Sequence, residues 1–166
     1  MDGRAVLITG GNTGLGKETA VALAGEGAEV IITTRDAKKG SSARSEIGER
    51  AGNDVEVMEL DLARLASVRD FASQFSDAHD HLDVLVNNAG VMLGSRRETP
   101  DGYEMTFQVN HLGPFLLTNL LRDPLMAGDA ARVVNVASAA HSSARDGLDF
   151  DDLQSRRKYR SFGVYA

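Results

Sequence analysis

The 166-residue chain has no cysteine. Disulfides and thiolate chemistry are therefore excluded, although that absence does not fix the compartment. No apolar run approaches the roughly 20 residues that span a bilayer. Positive charge is in deficit: 18 Lys and Arg stand against 24 Asp and Glu, a net charge of −6. A nucleic-acid partner is not expected, because phosphate binding needs a basic surface. There is no internal repeat, low-complexity tract or linker. The first apolar run starts within a few residues of Met1, which leaves no room for a leader, so the expectation is a soluble, cytoplasmic chain. Hydrophobic content of 42% and charged content of 25% suit one globular domain large enough to bury a core.

Short apolar runs alternate with amphipathic segments. Arg4–Thr9, Ala28–Thr34, Val55–Leu60, Leu82–Asn87 and Arg132–Val136 read as strands. Between them, Leu15–Gly25 reads as a helix with Leu15, Thr19 and Leu23 on one stripe and Ala20 and Ala24 beside it, closed by Gly27. Ala37–Arg50 reads as a polar helix stopped at Gly52-Asn53. Val68, Phe71, Ala72 and Phe75 recur at helical spacing, with Ser67 and Asp70 as a capping box. Gly94–Gly102 reads as a loop, Tyr103–Leu121 as a long helix ending near Pro124, and Ala139–Ala166 as loop with one polar segment. Strands alternating with helices of this length predict a doubly wound parallel sheet, the Rossmann α/β architecture, of about five strands in a single domain.

The segment between the first strand and the first helix carries Gly10, Asn12, Thr13, Gly14, Leu15 and Gly16. Glycines there permit a tight turn and let backbone N–H groups approach a pyrophosphate at a helix N-terminus. The spacing differs from GxGxxG, yet a plain strand–helix turn does not need so many glycines. An NAD site usually has an acid at the end of the second strand, about 20 residues after the glycines. Thr34 fills that place, and Arg35 follows. A guanidinium binds a 2′-phosphate that a carboxylate would repel, so NADP(H) is favoured over NAD(H). Asp36 keeps a plain solvated loop open as the alternative. Lys17 either adds to the phosphate field or faces solvent. Alone, Ser138, Asn110 and Tyr165 would be ordinary residues. His79 and His81 at a helix end are expected to be solvated rather than metal-ligating, and Arg156-Arg157-Lys158 to be a solvated face.

Taken together, these motifs resemble the short-chain dehydrogenase/reductase family. TGGNTGLG at 9–16 is similar to its cofactor loop, and Asp61-Leu62 to the acid after its third strand that contacts adenine. Asn87-Asn88-Ala89-Gly90 is similar to its NNAG motif. Asn110 in QVNHLGPF resembles its active-site asparagine, Ser138 its catalytic serine, and Tyr165 the tyrosine of YxxxK. NHLGPFLLTNLL, VVNVASAAH and DDLQSRRKY are most similar to the retinol-dehydrogenase-like branch, which also has a long insert between serine and tyrosine.

The resemblance implies hydride transfer between a nicotinamide and a carbonyl or alcohol carbon of a small molecule, with retinoids or other apolar aldehydes and alcohols as the substrate class. Ser138 would bind the substrate oxygen, Tyr165 would transfer the proton, and Asn110 would anchor a water in a relay with a lysine. The family's lysine falls four residues after the tyrosine, and this sequence ends at Ala166. The expectation is therefore a partial sequence of a longer enzyme, whose oligomeric state stays open with a homodimer as one option, inactive by itself, with an exposed fifth strand and marginal solubility. The alternative is a truncated, non-catalytic dinucleotide-binding module.

Overall fold

A computed structural model describes residues 1–144 and 147–166. Five parallel strands run through the centre: β1 (Ala5–Ile8), β2 (Glu29–Thr34), β3 (Glu56–Glu59), β4 (Val84–Asn87) and β5 (Arg132–Asn135). Their spatial order is β3-β2-β1-β4-β5. Helices α1 (Gly14–Gly25), α2 (Ala37–Ala51) and α3 (Leu65–Ala78) form the first crossovers. The chain leaves β1 toward β2 on one side and later returns to pair β4 with β1 on the other. That reversal opens a crevice at the carboxyl ends of β1 and β4, where doubly wound folds bind ligands.

Both faces of the sheet are covered, as a parallel sheet requires. Alternate strand residues feed two separate cores. Leu7, Ile31 and Leu85 pack with Val68, Phe71 and Phe75 of α3. Val6, Ile8 and Ile32 pack with Ala20 and Ala24 of α1 and Ile47 of α2. The buried Asp83 carboxylate ties the sheet together at its amino ends. It accepts from Ala5 N at 2.9 Å, Asp129 N at 3.0 Å and Arg4 Nη1 at 3.1 Å.

Several local expectations are corrected. The buried stripe of α1 is Gly16, Ala20 and Ala24, and Leu15 is 73% exposed. Only small residues let α1 lie close to the sheet. Helix α3 begins at Leu65, so Ser67 lies inside its first turn, and its hydroxyl accepts from Asp61 N at 3.0 Å. The expected capping box is thus replaced by a tie to the loop after β3.

The long helix after the 94–102 loop is composite. It comprises α4 (Met105–Phe107), a π turn (Gln108–Leu112) and α5 (Gly113–Leu120). Pro114 accounts for the π turn physically. It has no N–H to give the Asn110 carbonyl, and its ring would crowd that carbonyl in a regular α-helix. The helix ends at Leu120, and Pro124 lies within the next helix, α6 (Arg122–Ala127). Proline is tolerated there because first-turn N–H groups have no intrahelical partner. The segment after β5, expected to be loop, contains a 3₁₀ turn (Ala139–Ser143) and a short helix, α7 (Ser161–Tyr165). Strand β5 is the edge of the sheet, with Val133 and Val134 exposed.

Candidate functional site

The site grows from the turn after β1. Gly10 has φ +65° and Gly14 φ +55°, the left-handed region that glycine occupies freely. Gly16 has no room for a side chain. An added Cβ would lie 2.4 Å from Asn88 Nδ2 and 2.8 Å from the Gly10 carbonyl oxygen. Asn88 itself is a latch: its Nδ2 donates to the Thr9 carbonyl at 2.8 Å. The buried Thr9 hydroxyl accepts from both Asn88 N and Ala89 N at 3.0 Å. The glycine turn and the turn after β4 are thereby fixed to one another. Helix α1 starts after Thr13 with no side-chain cap, so its first-turn N–H groups stay open to an anion.

Helix α2 starts in the opposite way. Asp36 Oδ1 accepts from Lys38 N at 3.0 Å and Lys39 N at 3.1 Å. The one carboxylate beside Arg35 is therefore engaged as a helix cap. Arg35, Asp36 and Lys39 line a cavity of about 590 Å³ together with Gly10, Asn12, Thr13, Asp61 and Leu62. Asp61 Oδ1 accepts from Ala63 N at 3.0 Å, which fixes the turn that presents Leu62. Lys17 does not join this wall. Its Nζ is 2.7 Å from Glu46 Oε1, on the outside of α1 and α2.

A second cavity, of about 1100 Å³, holds Ser138, Tyr165 and Asn110. The two cavities share Asn88, Ala89, Gly90 and Val91 and so form one cleft. Asn110 holds the shared wall. Its Oδ1 accepts from Val91 N at 2.8 Å and its Nδ2 donates to Val91 O at 2.9 Å. Ser138 caps the 3₁₀ turn: its hydroxyl oxygen accepts from Ala140 N at 3.1 Å. The hydroxyl hydrogen remains available as a donor. The Ser138 carbonyl lies 2.8 Å from His141 Nδ1. A carbonyl only accepts, so that nitrogen carries the hydrogen. Tyr165 closes α7 and faces the same cavity.

Sequence reasoning missed Thr33 and Lys39, and named Thr9 in the site only as the first residue of the 9–16 motif. Thr33 Oγ1 accepts from Gly10 N at 3.3 Å and steadies the glycine turn from the neighbouring strand. Lys39 lies in the first turn of α2, and Arg35 lies just before the helix's N-cap Asp36. His79 and His81 lie beside carboxylates, at 3.3 Å from Glu56 and 3.5 Å from Asp83. Among the described residues no group of three or more His, Asp or Glu is placed to hold a metal.

Fold and cleft together define a doubly wound α/β protein with a cleft at the carboxyl ends of its strands. That cleft has an open helix start and a glycine-rich turn at its centre, Arg35 and Lys39 at one end, and Ser138 and Tyr165 at the other. The chain belongs to the short-chain dehydrogenase family, whose model ("short chain dehydrogenase") matches residues 4–148. It is 46% identical to human retinol dehydrogenase 13 over 166 residues, covering 99% of this chain and 50% of that protein. It is 48% identical to mouse retinol dehydrogenase 12, covering 99% of this chain and 52% of that one. The chain thus spans about half the length of the curated relatives it matches, and its affinities lie with the retinol-dehydrogenase-like branch.

Among solved structures, an uncharacterized protein from Mycobacterium paratuberculosis matches with a TM-score of 0.84 and 43% identity. The match covers 99% of this chain and 56% of that one. The RhlG/NADP active-site complex of Pseudomonas aeruginosa matches with a TM-score of 0.77 and 27% identity, over 99% of this chain and 61% of that one. No helix among the described residues is long and apolar enough to cross a membrane.

Proposed function

We propose that this chain is the nucleotide-binding and proton-handling part of an NADP(H)-dependent oxidoreductase that interconverts a carbonyl and an alcohol. The observation that carries this reading is the single cleft with two ends. Arg35 and Lys39 line one end, and Ser138, Tyr165 and Asn110 line the other. At the first end, Arg35 before α2 and Lys39 in its first turn line one wall and suit a 2′-phosphate, while Asp36 accepts from the backbone N–H groups of Lys38 and Lys39. Asp61 and Leu62 would hold the adenine. The open first turn of α1, with Gly10, Asn12, Thr13, Gly14, Leu15 and Gly16, would receive the pyrophosphate. Asn88, Ala89 and Gly90 would flank the centre of the dinucleotide. The chemistry supplied by the bound nicotinamide is hydride transfer to or from the substrate carbon.

At the second end, the Ser138 hydroxyl donates to the substrate oxygen, since its acceptor side is taken by Ala140 N. The Tyr165 hydroxyl gives or takes the proton at that oxygen. Asn110 keeps Val91 in place behind them. Met92, Phe115, Val133 and Val136 also line this end, which suits an apolar aldehyde or alcohol of the retinoid kind. The retinol dehydrogenases it resembles support the same class. A cytoplasmic location accompanies this reading.

The test is fluorescence titration of the purified chain with NADPH and NADH, followed by NADPH oxidation with an apolar aldehyde. Saturable binding with NADPH preferred is expected, and no saturable binding of either nucleotide refutes the proposal. A second reading is a dinucleotide-binding module without turnover. Binding with no measurable turnover would select it.

A further inference from the structure

One fully buried polar side chain in the long helix lines neither cavity, yet it bonds Leu62 in the wall of the cleft as well as Thr99 and Asp101 in the loop before the helix. Gln108 opens the π turn and is 0% exposed. Its Oε1 accepts from the Thr99 hydroxyl at 2.6 Å. Its Nε2 donates to Asp101 Oδ2 at 2.7 Å and to the Leu62 carbonyl at 3.3 Å. Asp101 Oδ2 also accepts from Leu65 N at 2.8 Å, at the start of α3. Both hydrogens of the amide and its oxygen are thus engaged.

The other end of the same π turn also meets Leu62. The Gly113 N–H bonds the Gln108 carbonyl. A Cβ on Gly113 would lie 3.1 Å from Leu62 Cβ, Cδ2 and carbonyl oxygen. Leu62 is therefore held by a hydrogen bond from one end of the turn and by close packing from the other. Between these ends, Asn110 grips Val91 through both of its amide atoms. One turn of helix joins the wall at Leu62 to the wall at Val91.

We propose that Gln108 is a positioning residue: through the Leu62 carbonyl it sets the adenine end of the cleft in fixed relation to Asn110 and the catalytic end. This rests on the nucleotide-binding reading above. The alternative is a purely structural role, in which Gln108 only ties the helix to the 99–101 loop. The two differ at one bond. In Q108L, all three partners lose their bond. In the exchanged pair Q108E/D101N, the amide introduced at position 101 donates to the carboxylate introduced at position 108; because Asp101 Oδ2 serves both Gln108 Nε2 and Leu65 N, the exposed Leu65 N–H passes to water in that pair. The Thr99 hydroxyl still donates to that carboxylate. The tie to the loop is rebuilt, but no donor remains for the Leu62 carbonyl.

The probe is 2′,5′-ADP, which carries only the adenine half, titrated by calorimetry against the full chain at a temperature where circular dichroism shows each variant folded. For Q108L, affinity is expected to fall about tenfold, the equivalent of one lost buried hydrogen bond. For Q108E/D101N, thermal stability is expected to recover most of the loss while affinity stays low. G113A, which displaces Leu62 and deletes no hydrogen bond, is expected to weaken 2′,5′-ADP as well, and it serves if Q108L does not fold. Native affinity in Q108L, or affinity recovered with stability in the exchanged pair, overturns the proposal and leaves the nucleotide site standing. With Q108L unfolded, native affinity in G113A overturns it equally. Absence of 2′,5′-ADP binding by the unmodified chain overturns the NADP(H) reading, and this inference with it.

Discussion

Replacing Gly16 by alanine adds one methyl group at the tightest point of the cleft. The new Cβ would lie 2.4 Å from Asn88 Nδ2, 2.8 Å from the Gly10 carbonyl oxygen and 3.1 Å from Asn88 Cγ. The Asn88 amide has to move, and it then gives up its 2.8 Å bond to the Thr9 carbonyl. Thr9 is fully buried, so water does not replace that bond. An unpaired buried acceptor costs about 1–3 kcal/mol, and overpacking costs about as much again. The greater helix propensity of alanine returns at most about 1 kcal/mol. A net loss of about 3 kcal/mol lowers the Tm of a domain this size by roughly 6–12 °C. The same movement displaces Asn88 at the junction of the two cavities, so NADPH affinity falls with stability. Differential scanning fluorimetry with and without NADPH reads both effects. A G16A chain with native Tm and a native NADPH-induced shift would show that the Gly16–Asn88 contact does not shape the cleft.

Arg35→Ala combined with Lys39→Ala is expected to weaken NADPH binding by about 10–100-fold, through loss of charge-assisted phosphate contacts, and to leave NADH nearly unchanged; parallel fluorescence titrations decide it. In the active enzyme, Ser138→Ala is expected to lower kcat by about 10²–10³ without altering NADPH affinity, because it removes a donor to the developing oxyanion; steady-state kinetics beside a binding titration separates the two. Burial acts to raise the pKa of Asp83, but the N–H groups of Ala5 and Asp129 and the Arg4 guanidinium outweigh it and hold the carboxyl below its ordinary value. Its stabilisation is therefore complete at neutral pH and is lost as pH falls below about 4, and urea melts of D83N against the unmodified chain should converge toward acid pH. Asp54 is likewise lowered, to about 2, chiefly by its bond to Arg44; an NMR titration of its carboxyl carbon with a midpoint near 4 would contradict that ion pair.

Much of the architecture was legible in the residues. Five apolar runs separated by helical periodicities dictate a parallel sheet, because each strand must be covered on both faces and each crossover must be long enough for a helix. The glycine spacing after β1, the missing acid after β2 and the NNAG turn after β4 sit at strand ends, so their place in the cleft follows from topology. Ser138 and Tyr165 carried no local signal of their own, and only their likeness to a family pattern marked them.

Tertiary structure decided what periodicity cannot encode. Leu15 has the spacing of a core residue but lies outside, because α1 approaches the sheet too closely for anything larger than alanine. Ser67 has the pattern of a helix cap, yet it bonds Asp61 because the β3–α3 loop folds back over the first turn. Asp36 next to Arg35 kept a plain solvated loop open in sequence; its bonds to two N–H groups of α2 are visible only in three dimensions. The role of Gln108 was equally invisible, since its partners Leu62, Thr99 and Asp101 lie on separate loops. Local order in this protein follows from side-chain chemistry read along the chain, whereas the shape of the cleft follows from hydrogen bonds between segments far apart in it.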